Sequence, residues 1–385
     1  MWIYILVFIM SCLLIFWAEN TKNRFNYLIY FLSIFIPSVL AGGRADFIGT
    51  DVRLYVEPLH LYANNTPNLL EYLNSHIYLF QAGDFSKFEK GYVLLTYICS
   101  RINQSLFFNL FIIEFLMLAL VLGSLIRLKK YYNNSISITL GMLLYYSIFY
   151  NLSLNMVRQS IAMAILFFGF SYLVENKGII YILLTFLATL FHRTAIIGLV
   201  ILLIYYFLFG VRKNKRNKLN VNLISKTILI ITVASIIIFS WSILIKLANL
   251  SGLSKIVGGY LVAPNYGISF YELILRIPFI IILGSSWKYM KENKLRYLYL
   301  NFIALDILLL FLGKTSTYTS RISYYLAIFY VISSIDEITY IPREWKILTI
   351  LLLGIYIILY WYYIIVLLGF NETVPYIWYT GINIL

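Results

Sequence analysis

Charge is what this sequence has least of. Lys, Arg, Asp and Glu together make up 12% of its 385 residues, about half the share of a soluble domain. At that density a compact soluble fold could not keep its surface wet, so that class is excluded. Cysteine is nearly absent too. Cys12 and Cys99 are too few for a disulfide framework, and nothing near them has metal-ligand spacing. With three histidines, a transition-metal site is not expected. The chain lacks Asp-x-Asp, a phosphate loop with its Lys, His-Glu-x-x-His and Gly-x-Ser-x-Gly, so no cofactor is expected. Met1-Trp2-Ile3 has no basic stretch and Ala18-Glu19-Asn20 is a poor cleavage site. The first apolar run therefore reads as a retained helix rather than a signal peptide.

What is abundant is apolar and aromatic surface. Hydrophobic residues reach 62% and aromatics 18%, with 35 Tyr and 28 Phe. Helix ends at membrane interfaces favour such rings. A helix needs about 20 mostly apolar residues to cross the hydrocarbon. Runs of that kind fall at 1–17, 25–41, 105–126, 135–150, 155–174, 222–245, 268–287, 297–313, 322–338 and 346–369. The stretch 179–210 is too long for one helix, and His192-Arg193 sits near its middle. It reads as two short helices with His192 at the tip. The expected fold is all-α: a single membrane domain over 1–385, a polytopic transmembrane helix bundle of about 12 spans. One long external loop, 42–104, holds acids, bases and aromatics, with 91–102 as a candidate interfacial helix.

Basic residues set the expected sidedness, because short loops rich in Lys and Arg stay in the cytoplasm. The segment Arg212-Lys213-Asn214-Lys215-Arg216-Asn217-Lys218, within 211–220, anchors the inner side. Lys22 and Arg24, Arg127, Lys129 and Lys130, Lys177, Lys288 to Arg296, and Arg343 with Lys346 then fall on that side. Both termini are expected outside. The +14 net charge thus reflects topology, and no nucleic-acid partner is expected.

Cations expected outside carry the chemistry, since a charge at a helix centre costs about 2.5–3.5 kcal/mol and such residues usually face a bundle interior. Asn155, Arg158 and Gln159 are spaced i, i+3, i+4 on one helix face. Arg158 alone could reach out to headgroups; the two flanking amides favour the interior. His192 with Arg193 forms a second candidate, against a merely solvated histidine. A polar outer loop, Lys314 to Arg321, forms the third; Arg321, Tyr324 and Tyr325 share a face, against an ordinary interfacial belt. Glu272 and Arg276 read as an i, i+4 ion pair, and Glu114 and Asp306 as polar contacts between helices. Outer cations beside a loop of acids and aromatics suit an anionic lipid headgroup. Arginine's planar fork matches phosphate oxygens.

The chain resembles the Wzy-type polysaccharide polymerases, in their EpsG-like branch. The resemblance rests on Arg44, Gly49-Thr50-Asp51 and Tyr55; on Glu89-Lys90-Gly91-Tyr92; on Asn155-x-x-Arg158-Gln159; on Phe191-His192-Arg193-Thr194; and on Arg321 before Tyr324-Tyr325. Val52 departs from it, standing where an aromatic is expected. The resemblance implies a metal-independent glycosyltransferase of the bacterial cytoplasmic membrane. It transfers a growing glycan from undecaprenyl diphosphate to an incoming lipid-linked repeat unit on the outer face. Partners would be polyprenyl-diphosphate-linked glycans and membrane lipids, with a chain-length regulator as an open candidate. Asp51 is the expected base and His192 its competitor, with Asp46 and Glu89 as alternatives. Arg44, Glu89, Asn155, Arg158, Gln159, Arg321 and Tyr324 are expected to bind substrate. A lipid-linked oligosaccharide flippase is the other reading; it would call for charges through the core and internal repeats.

Overall fold

The computed structural model describes residues 1–21, 24–75, 78–79, 83–84, 88–210, 222–250, 270–312 and 317–379. The basic segment 211–220, on which the expected sidedness rests, lies outside the described residues. Among the described residues the fold is helical apart from a two-residue antiparallel pair, β1 (Tyr78–Leu79) and β2 (Gly83–Asp84).

Helices follow the apolar runs. They begin with α1 (Trp2–Asn20) and α2 (Asn26–Gly42). The segment expected as an external loop holds α3 (Glu57–Asn65), α4 (Leu69–Asn74) and α5 (Lys90–Ile102). Then come α6 (Leu106–Tyr131), α7 (Ile138–Tyr145), α8 (Asn151–Asn155) and α9 (Val157–Leu173). The stretch 179–210 does divide into two short helices, α10 (Gly178–Thr189) and α11 (Ile197–Phe209). Last are α12 (Leu223–Leu250), α13 (Phe270–Ser286), α14 (Leu295–Leu312), α15 (Thr317–Ala327), α16 (Tyr330–Tyr340) and α17 (Arg343–Trp361). Side-chain caps fix several starts: Ser105 accepts from the Phe108 amide, Ser137 from that of Leu140, and Asn68 from Leu70 and Glu71.

Among the described residues three helices are long and apolar enough to cross a membrane: Trp2–Asn20, Leu106–Tyr131 and Arg343–Leu367. The chain is a membrane protein of helical class. Two expectations need correction. The run 322–338 is not one helix, because the backbone turns at Ile328 and Phe329 between α15 and α16. Each half is 11 residues, about 17 Å at helical rise and too short for the hydrocarbon. Arg321 therefore lies inside a helix that begins at Thr317, not at the end of a polar loop.

The chain divides into two compact units: Met1–Ile196 with Ile357–Leu385, and Ile197–Tyr356. In the first unit α9 is buried almost all round; of its 17 residues only Arg158, Phe168 and Tyr172 are less than buried. A helix that is apolar on every side belongs at the centre, and α9 packs between α6 and α10, with α2 on α6 and α1 on α2. Glu19 at the end of α1 accepts from the Lys129 ammonium (2.7 Å), the Thr139 hydroxyl (2.7 Å) and the amides of Ile138 and Thr139. Arg127 pairs with Glu175 at 2.8 Å. These contacts gather the basic helix ends of this unit at one end. The opposite end holds Gly42, Ser105, Met156 and Leu190.

Candidate active site

At that opposite end the chain breaks and folds back. Met156, at φ −93° and ψ 61°, interrupts the run from α8 to α9. Residues 43–51 lie against the break. Gly49 has φ +85°, and a Cβ there would stand 2.5 Å from the Leu154 carbonyl oxygen and 3.2 Å from the Asn155 Cα. Only glycine supplies both the left-handed backbone and that approach. The Asp51 amide donates to Asn155 Oδ1 at 3.4 Å, so the sequence-picked Asn155 braces the turn that carries Asp51.

Arg44, expected among the substrate ligands, is 2% exposed. Its guanidinium donates to the carbonyls of Ala41 (2.8 Å) and Leu154 (3.2 Å). It ties the end of α2 to the break before α9. Its own backbone pairs with Trp378, and Ala45 and Tyr379 complete that seam.

The centre of the cluster is Arg158, in the first turn of α9. It forms an ion pair with Glu89 Oε2 at 2.7 Å, and the two side chains are 24% and 10% exposed. Its guanidinium also lies 4.5 Å from the Tyr55 ring centroid and 4.4 Å from that of Phe88, a cation held between two aromatic faces. Arg158 Nε is buried without a hydrogen-bond partner. Tyr55 in turn donates its hydroxyl to Asp51 Oδ2. Burial first, and then the Asp51 carboxylate, push the Tyr55 hydroxyl well above its ordinary pKa, so it stays a donor. Glu89 Oε1 accepts from the Arg193 amide at 3.3 Å, and the next residue back, His192, has Nδ1 2.6 Å from the Thr194 hydroxyl. Gly91 closes the same seam: its amide donates to the Leu190 carbonyl at 2.8 Å, and a Cβ there would meet that oxygen at 2.7 Å.

Asp51, Glu89, Arg158 and the His192–Arg193 turn, picked from four separate stretches of sequence, are thus linked through Tyr55 into one line. Gln159 is 3% exposed, one residue deeper on α9. The structure adds Phe88, whose only sequence signal was its place beside Glu89. It also adds the segment after α17. Thr50, next to Asp51, donates to Glu372 at 2.8 Å, and Asn151 donates to the Thr373 hydroxyl at 2.8 Å. Nothing in local sequence pointed to residues more than two hundred positions away.

Arg321 and Tyr324 lie in the second unit, on α15. Arg321 is exposed, Tyr324 half-buried and Tyr325 buried. Ser323 beside them lies 3.5 Å from a nitrogen of Arg276. Arg276, read from sequence with Glu272, takes a different carboxylate: it meets Asp306 at 2.8 and 3.0 Å and bonds the Glu272 backbone carbonyl at 2.7 Å. Asp306 also accepts from the Tyr330 hydroxyl. Glu114 accepts twice from Ser153, at 3.1 and 3.0 Å, so both mid-chain acids are interhelical contacts. Among the described residues no three His, Cys, Asp or Glu side chains are grouped to hold a metal ion.

A helical membrane protein with a half-exposed arginine–carboxylate line at one end of its bundle is the class these features define. Its sequence matches the EpsG family over residues 27–378. The chain belongs to that family, as the quoted motifs led one to expect. No curated protein and no solved structure matches it.

Proposed function

We propose that this protein is a polysaccharide polymerase that joins lipid-linked oligosaccharide repeat units, with undecaprenyl diphosphate as the carrier, at the outer face of the bacterial cytoplasmic membrane. Family membership supports a polymerase of glycosyltransferase type. The observation that carries the finer reading is Arg158. It is cationic, partly exposed, held between Tyr55 and Phe88, and sits at the N-terminus of α9, where backbone amides and the helix dipole favour an anion. A diphosphate leaving group develops charge in the transition state, and a fixed guanidinium stabilises it there.

In this reading the acceptor sugar's hydroxyl oxygen forms the new bond to the donor's anomeric carbon. The bond from that carbon to the diphosphate oxygen breaks, and the diphosphate leaves with the electron pair. The acceptor proton passes to Asp51, which Tyr55 orients; His192 is the competing base and, once protonated beside Arg193, a diphosphate ligand. Glu89 holds Arg158 in place until substrate arrives. Arg44 and Asn155 keep the Asp51 turn against α9.

Purified protein given a defined lipid-linked repeat unit should yield a ladder of polymer lengths. A single unit moved across a vesicle bilayer without any ladder would instead support a flippase. Asp51→Asn should abolish the ladder while substrate still binds, whereas His192→Ala should weaken binding as well. Polymer at the normal rate from Asp51→Asn would overturn the assignment of the base.

A further inference from the structure

In the second unit α13 and α17 enclose an open groove of about 750 Å³. Its depth is apolar: Ile277, Ile281 and Ile282 line it from α13, and Leu352 and Leu353 from α17. At the deep end the Tyr356 hydroxyl donates to the Ile274 carbonyl at 2.7 Å. The mouth is different in kind, being made of Trp287, Lys288, Tyr289 and Trp345. Rings and cations of this sort sit at the headgroup level of a bilayer.

Charge at the mouth is mostly positive. The two short segments there, 287–297 and 341–346, hold six cations against two acids, Glu292 and Glu344. The Lys288 ammonium lies 4.7 Å from the Tyr289 ring centroid. Arg296 stacks 4.8 Å from the Trp287 ring centroid and donates to the Trp287 carbonyl at 3.0 Å. Its Nε is buried without a hydrogen-bond partner. From Trp345 to Tyr356 the groove runs about 16 Å along α17. That is the depth of one leaflet, about 15 Å of hydrocarbon, and it suits a single acyl chain; a long polyprenyl chain would overrun it.

We infer that this groove is a binding site for one anionic glycerophospholipid, with an acyl chain along Ile281 and Leu353 and its phosphate at Lys288 and Arg296. Basic residues at the membrane surface each favour an anionic headgroup about fivefold. The groove is lined by residues of the second unit alone, shares none with the Asp51–Arg158 line of the first, and does not depend on the reaction proposed there.

Gly284 provides the test. It lines the groove, and a Cβ there would meet nothing within 4 Å. Leu can therefore fill the groove without displacing packed atoms. Gly354 is equally open but does not line the groove, which makes Gly354→Leu a control of equal bulk. Full-length protein would be extracted from vesicles of equal parts phosphatidylcholine and phosphatidylglycerol, and the retained lipid counted by native mass spectrometry. The wild type and Gly354→Leu should retain one phosphatidylglycerol in preference to phosphatidylcholine, and Gly284→Leu should lose it. Lys288→Glu, an exposed change that leaves packing alone, should lower the preference about fivefold while a lipid is still held. Retention by Gly284→Leu equal to wild type, no headgroup preference in the wild type, or an unchanged preference in Lys288→Glu would each overturn the proposal. So would a polyprenyl phosphate retained in place of the glycerophospholipid.

Discussion

Arginine–carboxylate pairs occur in both units, and Arg276–Asp306 of the second is built differently from Arg158–Glu89 of the first. In the second unit Arg276 and Asp306 are 2% and 0% exposed and meet through two nitrogens and both oxygens. The third guanidinium nitrogen bonds the Glu272 carbonyl, and Tyr330 adds a hydroxyl to Asp306. Every nitrogen of the guanidinium makes a hydrogen bond. In the first unit Arg158 and Glu89 meet through one nitrogen, remain 24% and 10% exposed, and leave Arg158 Nε without a partner. A sealed pair can only hold helices together. A half-open pair with spare hydrogen-bonding capacity can exchange its carboxylate for another anion.

The comparison breaks or stands on what happens when each carboxylate is removed. The largest effect on the fold is expected at Asp306→Asn. It leaves Arg276 buried and uncompensated, which costs about 3–5 kcal/mol, and should appear as early thermal unfolding in detergent. Normal unfolding of that variant would mean the pair is not structural. Arg158→Lys should be nearly the reverse case. The protein should insert and unfold as the wild type does, but polymer formation should fall by about 10² or more, because lysine keeps the charge and loses the fork. Near-normal polymer from this variant would make Arg158 an interfacial anchor.

Smaller effects sharpen the picture. Gly49→Ala forces a Cβ against the Leu154 carbonyl at a positive φ. It should cost about 1–3 kcal/mol locally, read as faster protease cleavage within residues 43–56 with the rest of the chain intact. Glu89→Gln should cost stability at most about 1 kcal/mol, since the pair is partly solvated. Its effect on polymer should be larger than its effect on unfolding. If unfolding moved more than activity, the two pairs would be alike after all. Sidedness is open to direct labelling. In a cysteine-free background, a cysteine at Asn65 should react with an impermeant thiol reagent in intact cells and one at Asn214 should not. Equal labelling would sink the expected topology.

Composition and hydropathy were enough to read the class and the helix positions. Burying some 20 apolar residues in a row has few solutions in a membrane, and each run reports on itself. Breaks inside the runs were not readable in this way. The turn at Ile328–Phe329 interrupts residues as apolar as their neighbours, so a hydropathy window passes over it. The site was legible in part. Asn155, Arg158 and His192 stood out because polar side chains at apolar helix ends are costly and therefore noticeable, whereas Asp51 and Glu89, acids of the expected outer loop, came with the family resemblance. Tyr55 stood in a quoted motif, but Phe88 was not legible, since it looks like any other aromatic in a chain that has 63 Phe and Tyr side chains in all.

The sequence by itself determined a helical membrane protein, where most of its helices run, and which polar residues required an explanation. Only the tertiary structure decided which of those residues meet. Arg276 was read with Glu272, four residues away, and took Asp306, 30 residues away. Arg44, expected to bind substrate, donates to two backbone carbonyls, those of Ala41 and of Leu154, 110 residues on. The physical reason is the range of the two signals. Burial of apolar surface is additive along a helix and can be summed from neighbours in sequence. A charge has its cost relieved only by whichever group the fold brings within about 3 Å, and that group can come from any part of the chain.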